Sequence, residues 1–266
     1  MKECFFCEKN KFSKKFEYLK PPKGETLYSI DTKNYYRYYL QCNFCQHYFG
    51  ISKIKIKNFY SSEYNRAIYS NDLKKNFEVI KKLPKKKSDN YSRVSRVANF
   101  VKKKMKGKNK TLLDIGSGLG IFPYMISKKG FTCTALDPNK LSWMHLKNEL
   151  KINSIHGDFI KIKIKKKYDV ITLNKVIEHV EQPERMLIKA KAILKKKGII
   201  YIEVPDILAA KKGKNREEFH IDHLHVFSKK SLLFLAKKTN LNIDLIKSIR
   251  EPSDKFTIYA FLTKIN

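Results

Sequence analysis

The sequence has no run of ~18 consecutive apolar residues and no apolar stretch near its N-terminus. A membrane span and secretion are therefore not expected, and the cytoplasm is the expected compartment. Acidic residues are scarce: 25 Asp and Glu stand against 57 Lys and Arg, a formal net charge of +32 over 266 residues. Such an excess points to nucleic acid, because cations that neutralise phosphates release counterions. Arginine is scarce within it, however, Ile and Asn are abundant, and lysine runs occur in every segment. The charge reads first as a solvated coat of biased composition and second as a nucleic-acid footprint. A small anionic substrate would be drawn by the same field. There is no internal repeat.

Cysteine is also rare, but it is not scattered. Four of the five cysteines form two C-x-x-C pairs, Cys4 with Cys7 and Cys42 with Cys45. Two thiolates on one tight turn can share a zinc ion, and two such turns complete a tetrahedron. Disulfides are the alternative, which a reducing compartment disfavours. His47 lies just past Cys45, but four cysteines already fill a zinc site. Cys133 reads as a small buried hydrophobe. Residues 1–57 are expected to form a zinc-ribbon-like module, with Tyr35-Tyr36-Arg37-Tyr38-Tyr39-Leu40 supplying a strand and the small core of a metal-stapled unit.

Three of the ten glycines fall in Asp114-Ile115-Gly116-Ser117-Gly118-Leu119-Gly120, directly after Thr111-Leu112-Leu113. This has the form of a buried strand, a turn that lets the backbone approach a ligand, and a helix. The carboxylate precedes the glycines, unlike the pyrophosphate-binding G-x-G-x-x-G, and suits a cationic ligand better. Further apolar runs at 131–136, 152–156 and 168–174 end at Asp137, at Gly157-Asp158-Phe159 and at Asn174. Asp137 stands near the spacing, ~20 residues on, at which an acidic residue takes a ribose diol. Val176-Ile177-Glu178-His179-Val180 follows Asn174. Pro183 opens a helix with Met186, Leu187, Ala190, Ile193 and Leu194 on its buried face, expected to end at Gly198, where a fifth strand runs to Pro205. Ser228 caps another helix, and 242–249 and 256–263 read as two last strands. Before the glycine turn, residues 58–110 read as a helical linker or cofactor lid. There Ser88-Asp89-Asn90 offers caps, and Tyr91, Val94, Val97, Ala98, Val101 and Met105 share one face. The alternation implies an α/β fold with a mainly parallel sheet.

Asp114, Gly116, Gly118, Gly120, Asp137, Asp158-Phe159, the Glu178-His179 pair and Gly198 to Pro205 together resemble a class I S-adenosylmethionine-dependent methyltransferase over about 111–266. The resemblance implies a Rossmann-like seven-stranded methyltransferase sheet that ends in an antiparallel hairpin. It also implies that Asp114 and the glycine turn, Ser117 included, hold the methionine moiety. Asp137 would then hold the ribose hydroxyls and Asp158 the adenine amino group, with Phe159 against the ring. Asn174, at the end of the fourth strand, joins this cofactor set.

The segment from Asp206 to Phe227 falls outside the scheme and carries three of the seven histidines, His220, His223 and His225. Strand-end loops of open α/β sheets carry substrate groups. Two readings of these histidines stand: a zinc site made of all three, or a general base with polar neighbours. The cysteine pairs together with Asp222-His223-Leu224-His225-Val226-Phe227-Ser228 resemble methyltransferases that modify nucleotide-linked sugars. By that resemblance His223 matches the active-site histidine and Asp222 the acidic residue before it, while His220 stands where those proteins place a tyrosine. His179 is the competing base. The expected function is methyl transfer to a small, polar, anionic acceptor such as a nucleotide-linked sugar or other saccharide. An RNA base methyltransferase gripping RNA through the zinc module and lysines is the alternative enzyme, and a zinc-ribbon adaptor that only binds cofactor is the non-enzymatic alternative.

Overall fold

The computed structural model describes residues 1–27, 32–54, 72–107 and 109–265. Tyr60, Tyr64 and Tyr69, which the sequence offers either as packing for the linker or as residues facing the active site, lie with part of that linker outside these residues. Four parallel connections build the main sheet around β4 (Thr111–Ile115). On one side lie β5 (Thr132–Asp137) and β6 (Asn153–His156). On the other lie β7 (Tyr168–Asn174) and β8 (Leu194–Pro205), followed by the antiparallel β11 (Phe256–Lys264) and β10 (Leu241–Arg250). The order β10-β11-β8-β7-β4-β5-β6 is the seven-stranded sheet that the resemblance implied. Its strand order reverses between β4 and β7, and at such a switch point the carboxyl ends of the strands open a crevice for a ligand.

The apolar runs form strands because they are buried on both faces. Leu112, Leu113, Val170, Ile171 and Leu173 have no measurable exposure. The helix expected to run to Gly198 is shorter. Here α5 (Pro183–Ala192) stops early, and β8 starts at Leu194, which pairs with Tyr168 before the register shifts. Leu194 is therefore a strand residue, and Gly198 sits inside the strand, where an added Cβ would lie 2.6 Å from the Leu194 side chain. The irregularity in the ladder, rather than a helix cap, accounts for that glycine.

Two helices lie before β4: α1 (Leu73–Lys81), capped by Asp72, and α2 (Asp89–Lys104), capped by the Ser88 hydroxyl, which accepts from the Tyr91 amide. Val94, Val97 and Val101 of α2 pack on Leu112, Val170 and Ile199. A buried ionic network pins α2 to β8: Arg93 donates to both carboxylate oxygens of Glu203, and Arg96 bridges Glu203 and Glu251 at 2.9 and 2.7 Å. After β4 come α3 (Ile121–Ser127) and α4 (Lys140–Met144), the latter continued by a wider turn from His145 to Glu149. Among the described residues no helix is long and apolar enough to cross a membrane.

The N-terminal sheet is an antiparallel meander of β1 (Phe12–Tyr18), β2 (Arg37–Cys42) and β3 (Tyr48–Ser52). Its fourth strand comes from the other end of the chain. β9 (His225–Val226), in the histidine segment, pairs with β3 through Tyr48 with Val226 and Phe49 with His225. The last helix, α6 (Lys229–Lys238), follows at once, and its capping residue Ser228 donates to the Cys45 carbonyl.

Candidate active site

At the switch point Gly116, Gly118 and Gly120 all take positive φ, which side chains disfavour. At Gly116 a Cβ would stand 2.7 Å from Val176, so the β4 and β7 turns meet only because the position is bare. Asp114 is buried, and its Oδ1 accepts from the Thr172 hydroxyl at 2.6 Å and from Asn174 Nδ2 at 2.8 Å. Burial outweighs these donors and pushes the carboxyl up to about 6. Asn174 Oδ1 is buried with no hydrogen-bond partner, and Asn174 lines a cavity together with Asp114, Ser117, Gly118 and Asp137. A carboxylate and an orphan acceptor are what an ammonium group needs as hydrogen-bond acceptors and a sulfonium as negative charge. Asp137 accepts from the Gly118 and Asn139 amides at 2.7 and 2.9 Å, and burial again pushes it up to about 6.

A second recess adjoins the first across Gly116, Pro138, Val176 and His179. Asp158 and Phe159 line it. Asp158 Oδ1 accepts from the Ile160 amide, and Phe159 is buried in the core with its face toward Lys189. All nine residues of the expected cofactor set therefore stand at or beside this double cavity. Lining residues outside the expected set include Asn90, Arg93 and Lys175. Lys175 holds a left-handed φ of 57° between β7 and the next turn, donates to Thr257 Oγ1 at 2.8 Å, and is pulled below its ordinary pKa by burial. The charge of a lysine gave no local hint that it would be half-buried here.

The histidine segment is held against His179, a lining residue of this cavity, by the N-terminal sheet. The Tyr39 hydroxyl donates to the carbonyls of His220 and His223 at 3.0 and 2.8 Å, the Glu25 carboxylate accepts the Ile221 amide at 2.7 Å, and the Gly50 amide donates to Leu224 O at 2.9 Å. A Cβ at Gly50 would meet the His223 carbonyl oxygen at 2.9 Å. These contacts bring His223 to His179, ring centroids 4.9 Å apart. His179 donates through Nδ1 to the Asp222 carbonyl at 2.7 Å, with the Asp222 carboxylate 3.9 Å away. His223 donates through Nδ1 to Glu218 O at 3.0 Å, and burial pushes its imidazole down to about 4. Each bond selects the tautomer whose Nε2 bears the lone pair. Glu178, fully buried, completes the group.

The three-histidine zinc site does not form. His225 turns away, its Nδ1 3.0 Å from Nε2 of His47, and among the described residues no metal-ligating group unites His220, His223 and His225. His220 contributes its carbonyl to Tyr39 and has no ring contact with His179 or His223.

The four paired cysteines do converge. They are buried, none is in a disulfide, and their sulfurs all lie within 4.8 Å of one another. Cys4 Sγ to Cys45 Sγ and Cys7 Sγ to Cys42 Sγ are each 3.6 Å. Sulfurs around a tetrahedral zinc at ~2.3 Å stand about 3.7 Å apart, so the cluster has the right size for the ion. His47 is not part of it and instead bonds Ser231 and His225.

Sheet order, glycine turn and flanking carboxylates define a Rossmann-like methyltransferase fold. Residues 80–246 match the family described as methyltransferase domain. The chain belongs to that family. Among curated relatives, it is 32% identical over 96 residues to a ubiquinone biosynthesis O-methyltransferase of Rickettsia typhi and 34% identical over 100 residues to that of Pelagibacter ubique. These matches cover 34% and 36% of this chain but only 39% and 42% of the relatives' length. Among solved structures, an S-adenosylmethionine-dependent methyltransferase from Clostridium acetobutylicum superposes with a TM-score of 0.58 at 12% identity, covering 74% of this chain and all of that one. Magnesium protoporphyrin IX methyltransferase from Synechocystis, solved with bound S-adenosylhomocysteine, gives 0.58 at 12% identity over 78% of this chain and 96% of its own.

Proposed function

We propose that this chain transfers a methyl group from S-adenosylmethionine to a small, polar, anionic acceptor, with a nucleotide-linked sugar or other saccharide as the first class to test. The observation that carries this is the pair of buried carboxylates, Asp114 and Asp137, flanking the glycine turn beside the orphan Asn174 Oδ1. When bound, S-adenosylmethionine supplies a sulfonium-activated methyl group. Asp114, Asn174 and the turn from Gly116 through Ser117 and Gly118 to Gly120 hold its cationic end, Asp137 takes the ribose hydroxyls, and Asp158 and Phe159 take the adenine. The acceptor lies against His179 and His223, and the His223 Nε2 lone pair receives its proton. Asp222 shapes this face from beside His179, and His220 serves through its main chain. The excess of lysine draws an anionic acceptor toward the cavity.

Cys4, Cys7, Cys42 and Cys45 hold a structural zinc in this reading, which suits a reducing, cytoplasmic setting. Calorimetry tests the cofactor assignment. Asp114→Ala should weaken S-adenosylmethionine binding by ~10-fold or more, since it removes the charge facing the methionine moiety, and equal affinities would sink the assignment. Incubation with labelled cofactor and cell extract then identifies which metabolite pool gains label. Label in RNA alone would transfer the reading to the RNA base enzyme, and no label with intact cofactor binding would leave the adaptor.

A further inference from the structure

We propose that Glu178, His179 and His223 bind a divalent cation of the zinc, cobalt or iron(II) kind at the acceptor side of the cavity, distinct from the four-cysteine cluster. One ligand atom from each lies within 4.8 Å of the others. Ligands around an ion at ~2.1 Å stand about 3–3.5 Å apart, so shifts on the order of 1 Å close the site.

Two independent features point to a cation. Neither carboxylate oxygen of the fully buried Glu178 has a hydrogen-bond partner. A buried carboxylate without partners is costly, and a bound cation compensates it. Lys175, whose field reaches Glu178, spends its ammonium on Thr257. The second feature is the orientation of the imidazoles. Both direct Nδ1–H at main-chain carbonyls, His179 to Asp222 and His223 to Glu218, which is how metal-binding histidines are oriented from outside the coordination sphere. Two nitrogens and one carboxylate favour zinc, cobalt or iron(II) over magnesium or calcium, which prefer all-oxygen shells.

The placement suggests a use. His179 lines both recesses of the cavity, so coordination positions not taken by the protein face the acceptor space and would receive an acceptor oxygen. This use rests on the methyl-transfer reading, whereas cation binding itself does not. At His223 Nε2 a cation and the acceptor's proton compete, so the ligand and base roles are alternatives that metal content distinguishes.

The test titrates cobalt(II) into the full chain as purified, without cofactor or acceptor, followed by calorimetry and visible absorption. One equivalent should bind without a sulfur-to-cobalt charge-transfer band, and Glu178→Gln or His223→Ala should weaken it ~100-fold or more. Far-ultraviolet circular dichroism and cofactor affinity check that each variant is folded, and His179→Gln is a third probe should one of the others fail. No such uptake by the wild-type chain, or uptake unchanged in the folded variants, overturns the proposal. A chain that binds cobalt this way yet transfers no methyl group would refute the catalytic reading and leave the cation site standing.

Discussion

The Tyr39 hydroxyl donates across 2.8 Å to the main-chain carbonyl of His223, tying a strand of the cysteine-bearing sheet to the histidine that packs against His179. Tyr39 is 1% exposed, and its other acceptor is the His220 carbonyl, so one phenol fixes both ends of the turn that carries Asp222. The N-terminal sheet is thus part of the scaffold of the proposed acceptor site. Tyr39→Phe should cost about 1 kcal/mol of stability, the usual worth of a buried hydrogen bond. It should lower turnover ~10-fold by letting His223 drift, since misplacement of ångström size is expensive. Cofactor affinity should not change. A parallel loss of cofactor affinity would show that the bond supports the whole domain rather than the loop.

Asp114 and Asp137 make opposite pH predictions for the empty and the occupied cavity. Burial raises both carboxyls to about 6. In the unfolded chain they titrate near 4. Between these values the native state holds protons that the unfolded state has released, so the free protein loses stability as pH rises from about 4 to about 6. Cofactor binding needs the ionised carboxylates, so affinity should rise through the same window, by ~10-fold per pH unit for each carboxylate below its pKa. Melting temperatures of wild type and Asp114→Asn isolate the Asp114 share of the first effect, because the variant keeps only the Asp137 penalty, so it should gain relative stability toward pH 7. Calorimetry with S-adenosylhomocysteine measures the second. A flat affinity between pH 5 and 7 would remove Asp114 and Asp137 from the binding set.

Metal removal should reach further than residues 1–57. The Cys45 carbonyl accepts from Ser228, the cap of α6, and β3 pairs with β9. Because metal binding at a thiolate cluster is also folding free energy, a strong chelator should loosen both the N-terminal sheet and the segment from Glu217 to Ser228. Hydrogen exchange should rise in those two regions and stay low in β4 and β7. Purified protein that contains no zinc and two disulfides would contradict the metal assignment outright.

How much of this could be read from residues alone depended on the range of the forces involved. β4 and β7 were legible residue for residue, because central parallel strands must be apolar on both faces and end in turn residues. The cysteine pairs and the expected cofactor positions carry their chemistry in local spacing; the structure places the four sulfurs together and the nine expected residues along one double cavity. β9 was not legible: two residues become a strand only because Tyr48 and Phe49, far away in sequence, offer an edge. The early start of β8 has the same origin, since its first residue is held by Tyr168. Glu178 is fully buried and Lys175 half-buried, and sequence gives no sign of either, because their surroundings come from β8, β11 and the histidine loop rather than from neighbours in sequence.

His223 and His179 are separated by their hydrogen bonds more than by their positions. Both present a lone pair at Nε2, but the His179 Nδ1 bonds Asp222, the residue beside His223, so His179 braces the loop as well as facing the cavity. His223 is braced from behind by Glu218 and Tyr39 acting on its ring and its carbonyl. His223→Ala should therefore leave cofactor affinity nearly unchanged and reduce turnover ~10²–10⁴-fold, the scale of a lost general base. His179→Ala should reduce it less and should also loosen the loop, seen as faster hydrogen exchange at 220–225. Measurement with the true acceptor decides between them. Near-normal turnover in His223→Ala would exclude that residue as the proton acceptor and pass the role to His179, whose loss would then produce the larger defect.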